Sequence, residues 1–333
     1  MPFPSKLFVS TTAVLCLAGC GEELQSPATP EEPGTVQAGS AQCGGGFSTG
    51  PAQDFDGDGV SDAAVYNRNG GIWTIRASQG SQIQVTLGDS NSRVVPADYD
   101  GDGTTNIAVW DPATGRWSIR NADKTISHVY FGQVGDVPFP ADYNGDGLAD
   151  IATWRPSDGT WRIRYSCLGT DVQTHWGQYG DLPVPADYDG DGKADLAVWR
   201  PSNATWYILF ASGAPALIHP FGASGDVPVP ADYDEDGKAN LAVWRPSNGT
   251  WYVLNAARTS FAGGQFGLDG DVPTPADYDG DGKADFSVWR PYIDPNPSPS
   301  VWYYRRSSDG TSNGFALGYG PGGSIAVKLY STP

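Results

Sequence analysis

Positive charge is scarce in this 333-residue chain: 20 Lys and Arg stand against 38 Asp and Glu, a formal charge of −18 with only 17% of residues charged. A surface of that sign repels phosphate and anionic headgroups, so no nucleic-acid or membrane-surface partner is expected. Histidine is nearly missing. The three present, His128, His175 and His219, fall at different distances before the aromatic that ends their repeat, so they build no repeated site. No GxSxG nucleophile word occurs. No apolar run suffices to cross a bilayer as a mature helix; LFVSTTAVLCLAG after Lys6 is short and reads as an export signal.

Cysteine is sparse too, at four residues, of which Cys16 sits in that signal and Cys20 directly follows it. Leu17, Ala18, Gly19 and Cys20 resemble a bacterial lipobox. The resemblance implies a signal peptide at 1–19, lipidation of Cys20, and loss of Cys16; an ordinary secretory signal is the alternative. Gly21 replaces the aspartate that marks inner-membrane retention in such lipoproteins, which implies the outer membrane or cell surface of a bacterium. Residues 20–42 are rich in Pro, Glu, Ser and Ala and read as a flexible tether. Membrane attachment is expected through the lipid alone. Only Cys43 and Cys167 remain in the domain at 43–333; an oxidising compartment permits their bond, but nothing in the sequence brings them together.

What is abundant is repetition. An acidic word begins at Asp54, Asp98, Asp142, Asp187, Asp232 and Asp277, every 44 or 45 residues. Twelve residues later stands Tyr66, Trp110, Trp154, Trp199, Trp244 or Trp289; seven further come Trp73, Trp117, Trp161, Trp206 and Trp251, with Trp302 delayed by the insertion Tyr292 to Ser300. Leu87, Phe131, Trp176, Phe221, Phe266 and Leu317 then each precede a glycine. Each unit holds four strand-like runs separated by turn words such as RPSNGT. Apolar residues succeed one another in the third run, as in Trp251 to Leu254, which predicts a strand covered on both faces. The reading is all-β: a β-propeller of six blades, each of four antiparallel strands, with the aromatics packed between blades. Ring closure is open, because Phe47 to Gln53 and Ser324 to Tyr330 both occupy the phase of a first strand, leaving room for a seventh, partial blade.

The acidic words align as nine-residue loops with oxygen-bearing side chains at positions 1, 3, 5 and 9 and glycine at 6. These are Asp54, Asp56, Asp58 and Asp62; Asp98, Asp100, Asp102 and Asn106; Asp142, Asn144, Asp146 and Asp150. In the second half they are Asp187, Asp189, Asp191 and Asp195; Asp232, Asp234, Asp236 and Asn240; Asp277, Asp279, Asp281 and Asp285. Calcium takes six to eight hard oxygens in flexible geometry, and the glycine lets the backbone carbonyl at position 7 turn inward. Those carbonyls belong to Val60, Thr104, Leu148, Lys193, Lys238 and Lys283. The glutamate that ends an EF-hand loop at position 12 is absent, so position 9 is the expected closing ligand. Crowded carboxylates repel without an ion. Up to six structural calcium sites are expected, with Asn106, Asn144 and Asn240 weakening theirs; metal-free Asp-Gly turns are the plain alternative.

DxDGDGxxD before a strand, repeated with FG at each unit's end, resembles the FG-GAP and VCBS repeat family over about residues 47–330. That resemblance implies calcium-binding propeller blades like those of integrin α chains and of lectin-like propellers. It leaves function open between binding a carbohydrate and binding an extracellular protein in adhesion or envelope assembly. A polysaccharide lyase or hydrolase is the less favoured reading; no catalytic residue is assigned, and a monomer is expected. Arg155, Arg200, Arg245 and Arg290 recur after the strand tryptophan and have two readings, as ligand contacts or as structural supports of the hairpin.

Overall fold

A computed structural model describes residues 53–291, 299–318 and 324–328, all within the compact unit Gln37–Pro333. The expected signal peptide, the lipidation site Cys20, the tether and Cys43 lie outside the described residues, as do 292–298 of the blade-six insertion. Cys167 is disulfide-bonded; the other three cysteines lie outside the described residues.

Six four-stranded antiparallel sheets form the blades of a propeller. Blade 4 is typical. Leu182–Pro183 forms a short inner strand, Leu196–Arg200 and Thr205–Leu209 the middle pair, and Leu217–Pro220 the outer strand. The second strands are the most deeply buried, as in Ala63–Asn67, where only the last residue is partly exposed. The third strands differ from the sequence expectation: in Thr205–Leu209, Trp206 and Ile208 are buried while Tyr207 and Leu209 are half-buried. They lie next to the outer edge, so one face looks onto a shallower part of the seam.

Six hydrophobic clusters hold the blades together, and each joins neighbours. Trp199 and Trp206 of blade 4 pack with Leu241 and Val243 of blade 5, and Trp289 and Trp302 of blade 6 pack with Ala63, Val65 and Ala326 of blade 1. Close-packed aromatics of this size supply the main burial of each seam. The paired indoles also explain the aromatic-glycine word. Trp199 and Trp206 both donate their ring N–H to the Phe221 carbonyl, at 3.1 Å each. The same double donation falls on Phe131, Trp176 and Phe266.

The C-terminal segment closes the ring. Ser324–Ala326 pairs antiparallel with Val65–Asn67 and is the inner strand of blade 1, so that blade is built from both ends of the repeat array. Among the described residues there is no seventh blade and no helix.

Candidate metal centres and the two ends of the blades

In blades 2 to 6 the acidic loop joins the first strand to the second, and in blade 1 it leads into the second strand; all six lie at the same end as the turn between the third and fourth strands. The position-1 carboxylate organises the loop. Asp187 accepts N–H bonds from Gly190 at 2.6 Å and Gly192 at 2.8 Å, one on each oxygen. Both glycines have positive φ, 80° and 82°, which lets the backbone curl around that side chain. Asp54, Asp98, Asp142 and Asp277 are held in the same way. In blade 5, Glu235 replaces the first glycine at φ 63° and Asp232 still receives both bonds.

Position 9 clamps the loop from below. Asp195 accepts the N–H of Tyr188 on one oxygen and that of Ala211, in the third-to-fourth-strand turn, on the other. Asp62, Asp150 and Asp285 do the same with Phe55 and Ser78, Tyr143 and Ser166, and Tyr278 and Ser307. All four carboxylates are fully buried, and none has a cationic partner among the described residues. Burial, added to by neighbouring aspartates, pushes each of them up to about 7 despite two backbone donors.

Acid oxygens converge to within 4.8 Å of one another in five of the six loops. The groups are Asp54, Asp56 and Asp58; Asp98, Asp100 and Asp102; Asp187, Asp189 and Asp195; Asp232, Asp234 and Asp236; and Asp277, Asp279 and Asp285. In the last, Asp279 Oδ1 is buried with no hydrogen-bond partner. An orphaned buried anionic oxygen among two other carboxylates suits a hard cation, so the residues fit calcium. The exception is the loop at Asp142, where Asn144 turns its amide nitrogen onto Asp146 Oδ2 at 3.0 Å. Asn106 and Asn240 present nitrogen as well: each amide oxygen accepts the position-2 N–H, and each Nδ2 faces the position-3 carboxylate, Asp100 at 3.3 Å and Asp234 at 3.2 Å. As placed, they offer a donor where a closing oxygen was expected. The position-7 residues act here through their N–H groups, which donate to the position-5 carboxylates, as Lys193 does to Asp191.

Two features of this end are not apparent from the repeat alignment. Serines from the third-to-fourth-strand turn donate onto the loop acids: Ser78 onto Asp58, Ser212 onto Asp189, Ser307 onto Asp281 and Ser308 onto Asp279. The six loops are also linked in a closed circle. The position-8 N–H of each loop donates to the position-1 carbonyl of the preceding one, at 2.6–2.7 Å, from Thr105 to Asp54 onward until Ser61 donates to Asp277 and completes the ring.

The opposite end carries the arginines. Arg155, Arg200, Arg245 and Arg290 form two-pronged ion pairs with Asp136, Asp181, Asp226 and Asp271, whose side chains are 0–1% exposed. Each of these acids also accepts an N–H in its own turn, as Asp181 does from Gln178. Arg200, Arg245 and Arg290 lie over Tyr207, Tyr252 and Tyr303 at 4.1–4.7 Å. These guanidiniums are committed to structure, which favours the second of their two sequence readings. The three histidines sit on the outer strands of blades 2, 3 and 4, apart from one another.

Residues 187–243 match the FG-GAP-like repeat family. No curated protein matches the chain. Among solved structures, an Agrocybe aegerita lectin, described in the specific recognition of non-reducing terminal N-acetylglucosamine, is similar at 14% identity and TM-score 0.53, over 83% of this chain and 97% of the lectin. A streptogramin B lyase is similar at 10% identity and TM-score 0.50, over 81% of this chain and 83% of the lyase. At such identities the likeness is one of fold. The matched segment spans the loop and strands that all six blades repeat, so the chain carries an FG-GAP-like repeat at residues 187–243 within a six-bladed β-propeller.

Proposed function

We propose that this protein is an exported, lipid-anchored binding module whose propeller is stabilised by calcium and whose ligand is a carbohydrate. One observation supports the calcium reading above others: carboxylates are fully buried at one end of the blades with no cationic side chain paired to them among the described residues. A divalent ion would be held by the acids at positions 1, 3, 5 and 9, and would supply the countercharge that their burial demands. Extracellular sites of this type bind at about 0.1–1 mM, so millimolar calcium fills them. The anchor reading rests on the Cys20 word.

Binding rather than catalysis is supported by what the polar residues already do. The recurrent arginines and their aspartates are bonded to each other, and the histidines share no site. Carbohydrate is supported by the architecture, since a ring of this fold serves N-acetylglucosamine recognition in the Agrocybe aegerita lectin. The large exposed apolar residues do not recur at one phase around the ring, which favours a single irregular site over six equal ones. A protein partner has one observation of its own. Val134 and Tyr179, 74% and 82% exposed, hold the same phase of adjacent blades, and exposed Tyr130 lies four residues before Val134, whereas blades 4 and 5 place Ser224 and Asp269 at that phase.

Thermal unfolding of the full chain in excess calcium and in chelator tests the calcium reading. A single site at a hundredfold excess over its Kd contributes about 2.7 kcal/mol, so several occupied loops raise Tm by on the order of 10 °C or more. An unchanged Tm would leave the loops as plain turns. A glycan array on the calcium form, with V134S/Y179S as the control for protein capture, tests the ligand.

A further inference from the structure

The repeat breaks at the seam between blades 5 and 6. In the outer strand Phe261–Gln265, Gly264 stands opposite Trp251. Blades 1, 2, 3, 4 and 6 place Val85, Val129, Thr174, His219 and Phe315 at that position. A Cβ on Gly264 would lie 2.7 Å from a terminal nitrogen of Arg305, so the missing side chain is the room that this guanidinium occupies. Across the seam, Phe286 stands where the other blades have Ala63, Ile107, Ile151, Leu196 and Leu241. Its ring stacks on Trp251 with centroids 4.9 Å apart and planes 11° apart. Arg305 lies over Phe286 at 5.2 Å and over Phe266 at 5.7 Å.

Beside these residues lies a groove of about 540 Å³, with Val253, Ala262, Gly263 and Phe286 as its apolar part and Arg305 and Arg306 in its wall. That volume falls within the range of small-ligand sites, about 300–1,000 Å³. The groove joins this apolar wall to positive charge, although Arg76 and Arg120, at the same strand position in blades 1 and 2, likewise form no ion pair among the described residues. Arg155, Arg164, Arg200, Arg245 and Arg290 each grip a carboxylate. Arg305 has no carboxylate partner among the described residues, and Arg306 has only a contact to Asp309 at 4.0 Å, with a buried Nε that bonds to nothing. Two guanidiniums so placed in a chain of charge −18 call for an anion from outside.

Its chemistry is bounded by the neighbours. A guanidinium steadied on phenyl rings offers its edge to a planar carboxylate, two bonds at once. Asp234 of the acidic loop also borders the groove, so a singly charged carboxylate meets less repulsion than a phosphate or sulfate dianion. The apolar wall takes the C–H face of a sugar ring, while the Ser307 hydroxyl oxygen, its proton given to Asp281, and the second amide N–H of Asn255 are left to meet ring hydroxyls.

We propose that this groove binds a uronate residue of an acidic oligosaccharide, with its carboxylate on Arg305 and its ring against Val253 and Phe286. The proposal rests on the carbohydrate-binding reading and not on the calcium reading. Calorimetric titration of the full chain with cellobiouronate, and with cellobiose as its neutral match, tests it; a tripeptide with a free C-terminal carboxylate is the third probe. Cellobiouronate is expected to bind at least about tenfold more tightly than cellobiose, a difference of about 1.4 kcal/mol. R305Q should remove that preference and R305K, which keeps the charge without the fork, should recover part of it. Both variants are checked for an unchanged calcium-dependent Tm. Absence of uronate binding by folded protein, equal binding by R305Q, or binding of the tripeptide alone would overturn the proposal. Array hits on neutral glycans that R305Q retains would sink it while leaving the carbohydrate reading standing.

Discussion

Asp181 and Asp195 sit at opposite ends of the same blade, both with buried carboxylates, and they are treated differently. Asp181 is gripped by Arg200 through two bonds of 2.7 and 2.9 Å. Asp195, equally buried, has backbone N–H groups and other acids around it. A chain that supplies an internal cation at one end in four blades and withholds it at the other leaves room there for one from solution. An internal pair is permanent; an external ion makes the end conditional on its concentration. The two ends should therefore answer differently to mutation, calcium and pH.

The largest effect is expected at the arginine end. R200A leaves Asp181 buried and unpaired, which costs about 3–5 kcal/mol. The loss should be equal in calcium and in chelator by denaturant unfolding; a calcium-dependent loss would mean that the two ends are coupled. At the other end D195N should change sign. In chelator at pH 8 it removes a buried charge that has no counter-ion and stabilises, whereas in excess calcium it forfeits one site and destabilises by about 1–3 kcal/mol. Parallel curves in both conditions would remove Asp195 from the metal site.

The sign of the pH response follows from burial. Asp62, Asp150, Asp195 and Asp285 are raised from 3.8 to about 7 in the metal-free fold. Between those values the native state holds protons that the unfolded chain has released, so metal-free stability falls as pH rises from about 4 to 7 and levels off above. Calcium requires the ionised carboxylates, so its stabilisation should grow over the same interval, as Tm against pH with and without chelator would show. The smallest change is N240D, which replaces an amide donor by a carboxylate in blade 5. The calcium-induced rise in Tm should increase by about 1–2 °C, and no increase would mean that this loop takes its ion from positions 1, 3 and 5 alone.

Much of this comparison is present in the amino-acid order. Period, blade count and the tryptophan core follow from spacing, because each blade repeats one local pattern and must bury the same face. Even the arginine pairs are visible in hindsight without relatives. Where Ser92 replaces the aspartate before the inner strand, Asp111 replaces the arginine, and blade 1 has Asn67 there. Both members vanish together because neither is tolerable alone in a buried place. The serines that cap the loops lie 20–29 residues downstream of their acids, too far for the loop motif to include them.

By itself the sequence determined six copies of a four-stranded unit, their aromatic cores, and acid-rich loops with the oxygen spacing of a calcium site. Only the tertiary structure decided which terminal segment closes the ring, how the six loops join in one hydrogen-bonded circle, and where the seam between blades 5 and 6 opens. Those are contacts between units, and a repeat specifies its own strands far more strongly than the small deviations, such as Gly264 and Phe286, that make one seam unlike the rest.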